Sequence, residues 1–253
     1  MNYVGHETGK IAVTLRRTLA AIRKLFPNAN TLEVHVSGPM LQCLDVFVGS
    51  KITVLCLQRA YVSAALETIK PLIATLDALV ITGSLPLFPL PLKAGSSLRI
   101  DQCDATELPV GLWGAATSLT IDGAPQFRSI VATGLECLNL WRCSSAESVV
   151  TDAAKVLVNC ARKMKTLELS GPVRNLDVNY CDELSQIVWG CRPAPQAHIN
   201  LSHVPALLDL RSLPLVPFGD FHAPAACVLP RGLCVHPPRL EHNMSSYSPE
   251  FES

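Results

Sequence analysis

Five of the seven histidines, His198, His203, His222, His236 and His242, lie beyond residue 197, near Cys191, Cys227 and Cys234. Imidazole and thiolate are the ligands of structural zinc, so Cys227, Cys234 and His236 are the first candidates for metal chemistry. No CxxC pair accompanies them, and structural zinc sites carry that tight spacing, so ordinary thiols and loop histidines are the simpler reading. A second candidate is the acidic cluster Asp101, Asp104 and Glu107, suited to acid–base or cation chemistry. Solvated residues beside a strand explain it more simply. The patterns of a nucleophile elbow, a phosphate loop, a dinucleotide turn and an HExxH metalloprotease are absent. The chain is therefore expected not to be an enzyme, and no catalytic, metal or cofactor residue is assigned. Its enzymatic alternative is a thiol-dependent catalyst, which needs one exposed cysteine of lowered pKa.

Composition narrows the partners. The chain has 253 residues, 49% apolar and 17% charged, with a formal net charge of zero. It can bury a core, and no global field draws it to nucleic acid or an anionic membrane. One asymmetry stands out: residues 1–30 carry Lys10, Arg16, Arg17, Arg23 and Lys24 against Glu7 alone. Arg16, Arg17, Arg23 and Lys24 are candidates for phosphate contact. Trp113, Trp141 and Trp189 do not gather into a stacking platform beside them, so direct nucleic-acid binding is not favoured. The longest apolar run, around residues 85–92, is broken by Pro86, Pro89 and Pro91, and no stretch reads as a membrane span. Ten scattered cysteines without a secretory leader point to reduced thiols in an intracellular compartment, the cytoplasm first.

The elements that would position any site follow one phrase. An apolar residue is followed three places on by a second and two places further by a third: Leu135, Leu138, Leu140; Met164, Leu167, Leu169; Val173, Leu176, Val178. In the LxL core the two apolar side chains point to one face of a strand and the residue between them to the other. One such phrase cannot bury its own face, so copies must stack. Leu41, Leu44 and Val46 read as an early copy. Counted from residue 29, the phrases at 52, 76, 95, 116, 135, 164 and 196 make turns of 23, 24, 19, 21, 19, 29 and 32 residues. LELSGPVRNLDV at 167–178 aligns without a gap to INLSHVPALLDL at 199–210. The nine residues between the two halves of each are too few for a full turn, which leaves a strand on another side of the coil or a local bend.

Three helices are predicted. Ile11, Leu15, Leu19, Ile22 and Phe26 recur at helical spacing before Pro27, an amphipathic segment that would cap the open end of the core. Its alternative is a mitochondrial presequence over residues 1–26. Residues 61–70, with Val62, Leu66 and Ile69 on one side, read as a second helix ended or kinked by Pro71. Residues 144–163 read as the third: Ser144 and Glu147 fit a capping box, and Val150, Ala153, Leu157, Cys160 and Met164 a buried stripe.

LECLNLWRC and VRNLDVNYC resemble the leucine-rich repeat consensus in the variant with cysteine where others have asparagine; Cys103, Cys143 and Cys181 match that position. The resemblance covers about residues 29–213, with degenerate turns at Gly95, Ala116 and Pro205. It implies an α/β solenoid with a parallel sheet on its concave face, few outer helices and an irregular Pro-rich C-terminus. The expected domains are a capping helix over 1–28, the solenoid over 29–213 and an extension over 214–253, where seven prolines in forty residues argue against helix or central strand.

Family members commonly bind proteins on the concave sheet. Here that face would carry Arg99, Thr120, Asn139 and Glu168 in one column and Asp101, Asp122, Trp141 and Ser170 in the next. The expected function is a non-catalytic protein–protein interaction scaffold or adaptor, a subunit of a larger intracellular assembly whose other proteins are its partners. Its rival within the binding class is a substrate receptor of a ubiquitin ligase, which would need a recruiting helical module not visible in the sequence.

Overall fold

The computed structural model describes residues 4–34, 38–57, 66–231 and 233. Helix α1 (Val4–Leu25) leads in, and the Phe26 N–H donates to the Ile22 carbonyl before Pro27. Strands β1 (Thr31–Val34), β2 (Val54–Leu57), β3 (Ala78–Thr82), β4 (Ser97–Asp101) and β5 (Ser118–Asp122) then lie side by side, with a short helix α2 (Lys70–Ile73) between β2 and β3. From there the strands alternate between two sheets: β6 (Ser129–Ala132), β7 (Cys137–Trp141), β8 (Ser148–Thr151), β9 (Lys155–Asn159), β10 (Thr166–Leu169), β11 (Asn175–Asn179), β12 (Gln186–Trp189) and β13 (His198–Ser202), ending with β14 (Asp220–His222). The odd-numbered strands β7 to β13 join β1–β5 and β14 in a ten-stranded parallel sheet, while β6, β8, β10 and β12 make a four-stranded one. The chain is a parallel β-solenoid.

Residues in register along the main sheet, Thr31, Val54, Ala78, Ser97, Ser118 and Cys137, are 23, 24, 19, 21 and 19 positions apart, matching the first five turns of the phrase. The last two expected turns, of 29 and 32, are corrected. Lys155, Asn175 and His198 follow Cys137 at intervals of 18, 20 and 23. The Leu167 phrase belongs to the second sheet, nine residues before Leu176 in the first. Of the two readings of those nine residues, the strand on another side of the coil is the one observed. Leu176 pairs with Ile199, so residues 199–210 are the structural counterpart of 176 onward, not of 167 onward.

The helix expected over 144–163 is absent; β8 and β9 occupy that stretch. Within the two strands Val149, Thr151, Val156 and Val158 are buried while Val150 and Leu157 are only part-buried, the alternation of strands; of the expected stripe, Ala153 and Met164 are buried, beside the strands. Val149, Val150, Thr151, Val156 and Val158 are all β-branched, which disfavours helix and suits a pleated surface. Glu147 caps nothing: its N–H donates to Arg128 and its carboxylate meets Lys165 at 3.7 Å. The early phrase Leu41, Leu44, Val46 is no strand either. It lies in a 3₁₀ segment, Gly38–Phe47, where Leu41, Leu44 and Phe47 bury at the three-residue period of that helix. Val62 and residues 58–65 lie outside the described residues; beyond them Leu66–Ile69 form a 3₁₀ turn running into α2. Pro71 sits in the first turn of α2, where its missing N–H costs nothing, rather than ending a helix.

The core fills the space between the sheets with stacked aliphatic ladders. Leu79, Leu98, Leu119, Leu138, Val156, Leu176 and Ile199 form one, and Ile130, Val149, Leu167 and Ile187 face them from the second sheet. Each fully buried leucine is worth about 1.5–3 kcal/mol. At the first end α1 packs on the 3₁₀ segment, and Leu19 of its apolar stripe reaches the core, while Ile22 and Phe26 are 37% and 62% exposed. The coil does not stop at Leu213, where the phrase fades: β14 adds to β13, and Asp209 bridges to Val228. Pro217 and Pro224 flank β14, so among the described residues no proline interrupts a strand.

Each central turn leaves the main sheet through the same corner. The residue after the strand is left-handed: Gln102, Gly123, Arg142, Cys160, Tyr180 and His203 have φ between 48° and 67°. Its N–H still pairs with the neighbouring turn, as Arg142 does with the Asn159 carbonyl at 3.0 Å. The following residue turns inward and is small: Cys103, Ala124, Cys143, Ala161, Cys181 and Val204, all buried. The cysteines thus occupy one structural position, as the phrase predicts.

Candidate binding surface

The outward face of the main sheet carries the residues singled out from the sequence. Arg99, Thr120 and Asn139 lie in register in its central column, and Asp101, Asp122 and Trp141 in the next. Glu168 and Ser170 do not join them. Glu168 is on β10, in register with Val150 and Val188 on the second sheet, and the Ser170 hydroxyl donates to the Thr151 carbonyl there. The columns continue instead through Leu157, Asp177 and Asn200, and through Asn159, Asn179 and Ser202.

At the middle of this face the charges organise one another. Arg99 Nε donates to both carboxylate oxygens of Asp101, at 2.8 and 3.0 Å, and its Nη2 reaches Asp122 at 3.4 Å. Arg142, from the left-handed corner after β7, closes on the other oxygen of Asp122 at 2.7 Å. Asp122 is therefore shared by two guanidinium groups, and it holds Arg142 above its usual pKa. Its side chain is 15% exposed against 65% for Arg142, so the acid lies low and the base projects. Trp141 stands in register beside Asp122, 38% exposed, while Asn139 Nδ2 donates to Thr120 Oγ1 at 3.3 Å. An aromatic ring framed by ordered charges is the composition of a binding hot spot. Arg142 is the member of this patch that sequence spacing missed. The direction of its side chain follows from the left-handed corner, which the LxL period does not encode.

The other candidates are dispersed. Asp101 is paired to Arg99, and Asp104 and Glu107 are exposed. Cys234, His236 and His242 lie outside the described residues, and among the described ones no group of three His, Cys, Asp or Glu is arranged to hold a metal. Trp113 is buried, its indole N–H donating to the Thr133 carbonyl at 3.1 Å, far in sequence and role from Trp141. Of the basic set on α1, Arg16 pairs with Asp45 and Arg23 donates to the Val46 and Val48 carbonyls, while Arg17 and Lys24 are exposed. Those two arginines fasten the helix to the coil. Burial pushes the Cys143 and Cys181 thiols up to about 12, and raises Cys103 and Cys56 as well, the opposite of what a nucleophile requires. No helix among the described residues is long and apolar enough to cross a membrane. No family model, no curated protein and no solved structure matches this chain.

Proposed function

We propose that this protein is a non-catalytic, leucine-rich-repeat-like scaffold that presents the outward face of its main sheet to another protein of a larger intracellular assembly. The observation that carries the reading is the patch of Trp141 beside the Arg99–Asp101–Asp122–Arg142 ion network, ordered on rigid parallel strands. Such a surface needs little reorganisation on binding, and that lowers the entropic cost of association. The leucine-rich-repeat likeness rests on the LxL strands of one parallel sheet and the buried corner cysteines; the second sheet, where outer helices were expected, is its main departure. A reducing, intracellular setting is supported by nine free cysteines among the described residues.

The test is a photoreactive amino acid at position 141 in the full chain, cross-linked in lysate of its own cells. A discrete partner should be captured, and Asp122→Ala with Arg142→Glu should abolish its capture while leaving the melting temperature close to wild type. Recovery of the same proteins from the double variant would sink the proposal.

A further inference from the structure

The last strands of the main sheet form a surface unlike the central patch. An open groove of about 950 Å³ runs over β11, β13 and β14. Three carboxylates line it, Asp177, Asp182 and Asp220, and among the described residues no lysine or arginine does. One side is edged by Tyr180 and His203, corner residues of successive turns whose rings stack with centroids 4.5 Å apart and 4° between planes.

The hydrogen bonds already made inside the groove tell what it still lacks. Asn179 and Asn200 both spend amide protons on Asp177, the Ser202 hydroxyl donates to Asn200 at 2.7 Å, and His198 Nδ1 meets Asp220 at 2.9 Å. Asn179 and Asn200 each have an amide proton engaged on Asp177, whereas Asp182 and the second oxygen of Asp220 remain as acceptors. In the central patch arginines of the chain itself complete the acids; here His198 meets Asp220 and Asn200 meets Asp177, and among the described lining residues no lysine or arginine reaches any of the three. The missing complement is a cationic donor that is also planar enough to lie along an aromatic stack, which describes guanidinium better than ammonium or a sugar hydroxyl.

The groove also reaches the end of the sheet. β14 pairs with β13 on one side, and among the described residues no strand pairs with its other side. A strand edge of this kind accepts an extended chain through main-chain hydrogen bonds. Residues 234–253 are a poor occupant, because they hold Arg239 against Glu241, Glu250 and Glu252.

We propose that this groove receives an extended, arginine-rich segment of a partner protein, whose guanidinium groups meet Asp182 and Asp220 and lie along the Tyr180–His203 stack. Asp220 stands at the start of these strands, in register with His198 and Asn175, and Asp182 lies past the corner at their far end, so the segment lies along the strands with arginines toward both ends of the groove. The site is separate from the Trp141 patch and stands or falls independently of it.

The experiment titrates the full chain into a short fluorescein-labelled peptide alternating arginine and serine, with a glutamine-for-arginine peptide and spermine as comparators. Saturable binding of the arginine peptide is expected, weakened about tenfold by Asp182→Asn with Asp220→Asn, and similarly by raising salt to about 0.5 M. Tyr180→Ala should weaken it by a few-fold, and Trp141→Ala should leave it unchanged. Both acids and the tyrosine are exposed, and thermal melts would verify that the variants fold. Absence of saturable binding, equal binding of the glutamine peptide, or indifference to the double variant overturns the proposal. Spermine as tight as the peptide overturns the protein partner. Concentration-dependent self-association that the double variant abolishes also overturns it, in favour of a second copy presenting its basic α1.

Discussion

The first turns of the coil and the central ones share one sheet but differ behind it. Between β1 and β4 the back of each turn is a 3₁₀ segment, the short helix α2 or a proline-broken loop; between β5 and β13 it is a strand of the second sheet. The front face continues through both without a break in register. A strand of the LxL kind needs only an apolar partner behind it, and either a helical turn or another strand can supply that. What the second sheet adds is a second ladder of backbone hydrogen bonds, so the central turns should be the more protected.

The largest effect that would test this contrast is a cavity. Leu138→Ala in the centre and Leu44→Ala in the first turns each remove a fully buried side chain, and each should cost about 3 kcal/mol in urea unfolding. Their reach should differ. Hydrogen exchange in the Leu44 variant is expected to rise in the first turns alone, and in the Leu138 variant on both sides of β7, since repeats contact only their neighbours. Uniform acceleration in both would remove the distinction between the two regions.

Glycines offer a smaller effect. A Cβ at Gly171, in the central turns, would overlap the Asp152 carbonyl oxygen, which is backbone held between the two sheets. At Gly95, with φ of 81°, it would meet nothing within 4 Å. Gly171→Ala should therefore destabilise by about 2–3 kcal/mol and Gly95→Ala by about 1, the left-handed penalty alone. Equal losses would mean that the central backbone can shift to make room.

The corner thiols give a pH test. Cys143 and Cys181 ionise near 12 in the folded chain and near the ordinary thiol value of about 8.5 when unfolded. A raised folded pKa means that stability is complete below the unfolded value and declines as pH climbs toward the folded one. The expected slope is about 1.4 kcal/mol per pH unit for each thiol. Cys143→Ala and Cys181→Ala should flatten it, and the coil should accept them because Ala124 and Ala161 already fill the same corner. The smallest effect belongs to Trp141→Ala, expected to move stability by less than about 0.5 kcal/mol while removing the partner contact.

Legibility in the sequence followed the same division. The front strands and five turn lengths were visible because an inward-facing aliphatic pair flanks one outward residue in each copy. The second sheet was hidden because LEL and LDV read alike whichever side of the coil they occupy. Residues 144–163 misled for a related reason: Val150, Ala153, Leu157, Cys160 and Met164 recur at helical spacing, although the alternating β-branched residues beside them belong to strands. In the candidate site, Arg99, Asp122 and Trp141 were legible through register. Glu168 and Ser170 were drawn into those columns by a phrase from the wrong sheet, and Arg142, Tyr180 and His203 were missed because their directions depend on left-handed corners.

The amino-acid sequence by itself determined that this chain stacks parallel strands with aliphatic ladders inside and cysteines at a repeated corner, because alternation and burial are local properties of each phrase. Only the tertiary structure decided which phrases share a sheet, and hence which charges meet. Asp122 finds Arg99 and Arg142 only once successive turns are brought into register, and Tyr180 finds His203 in the same way.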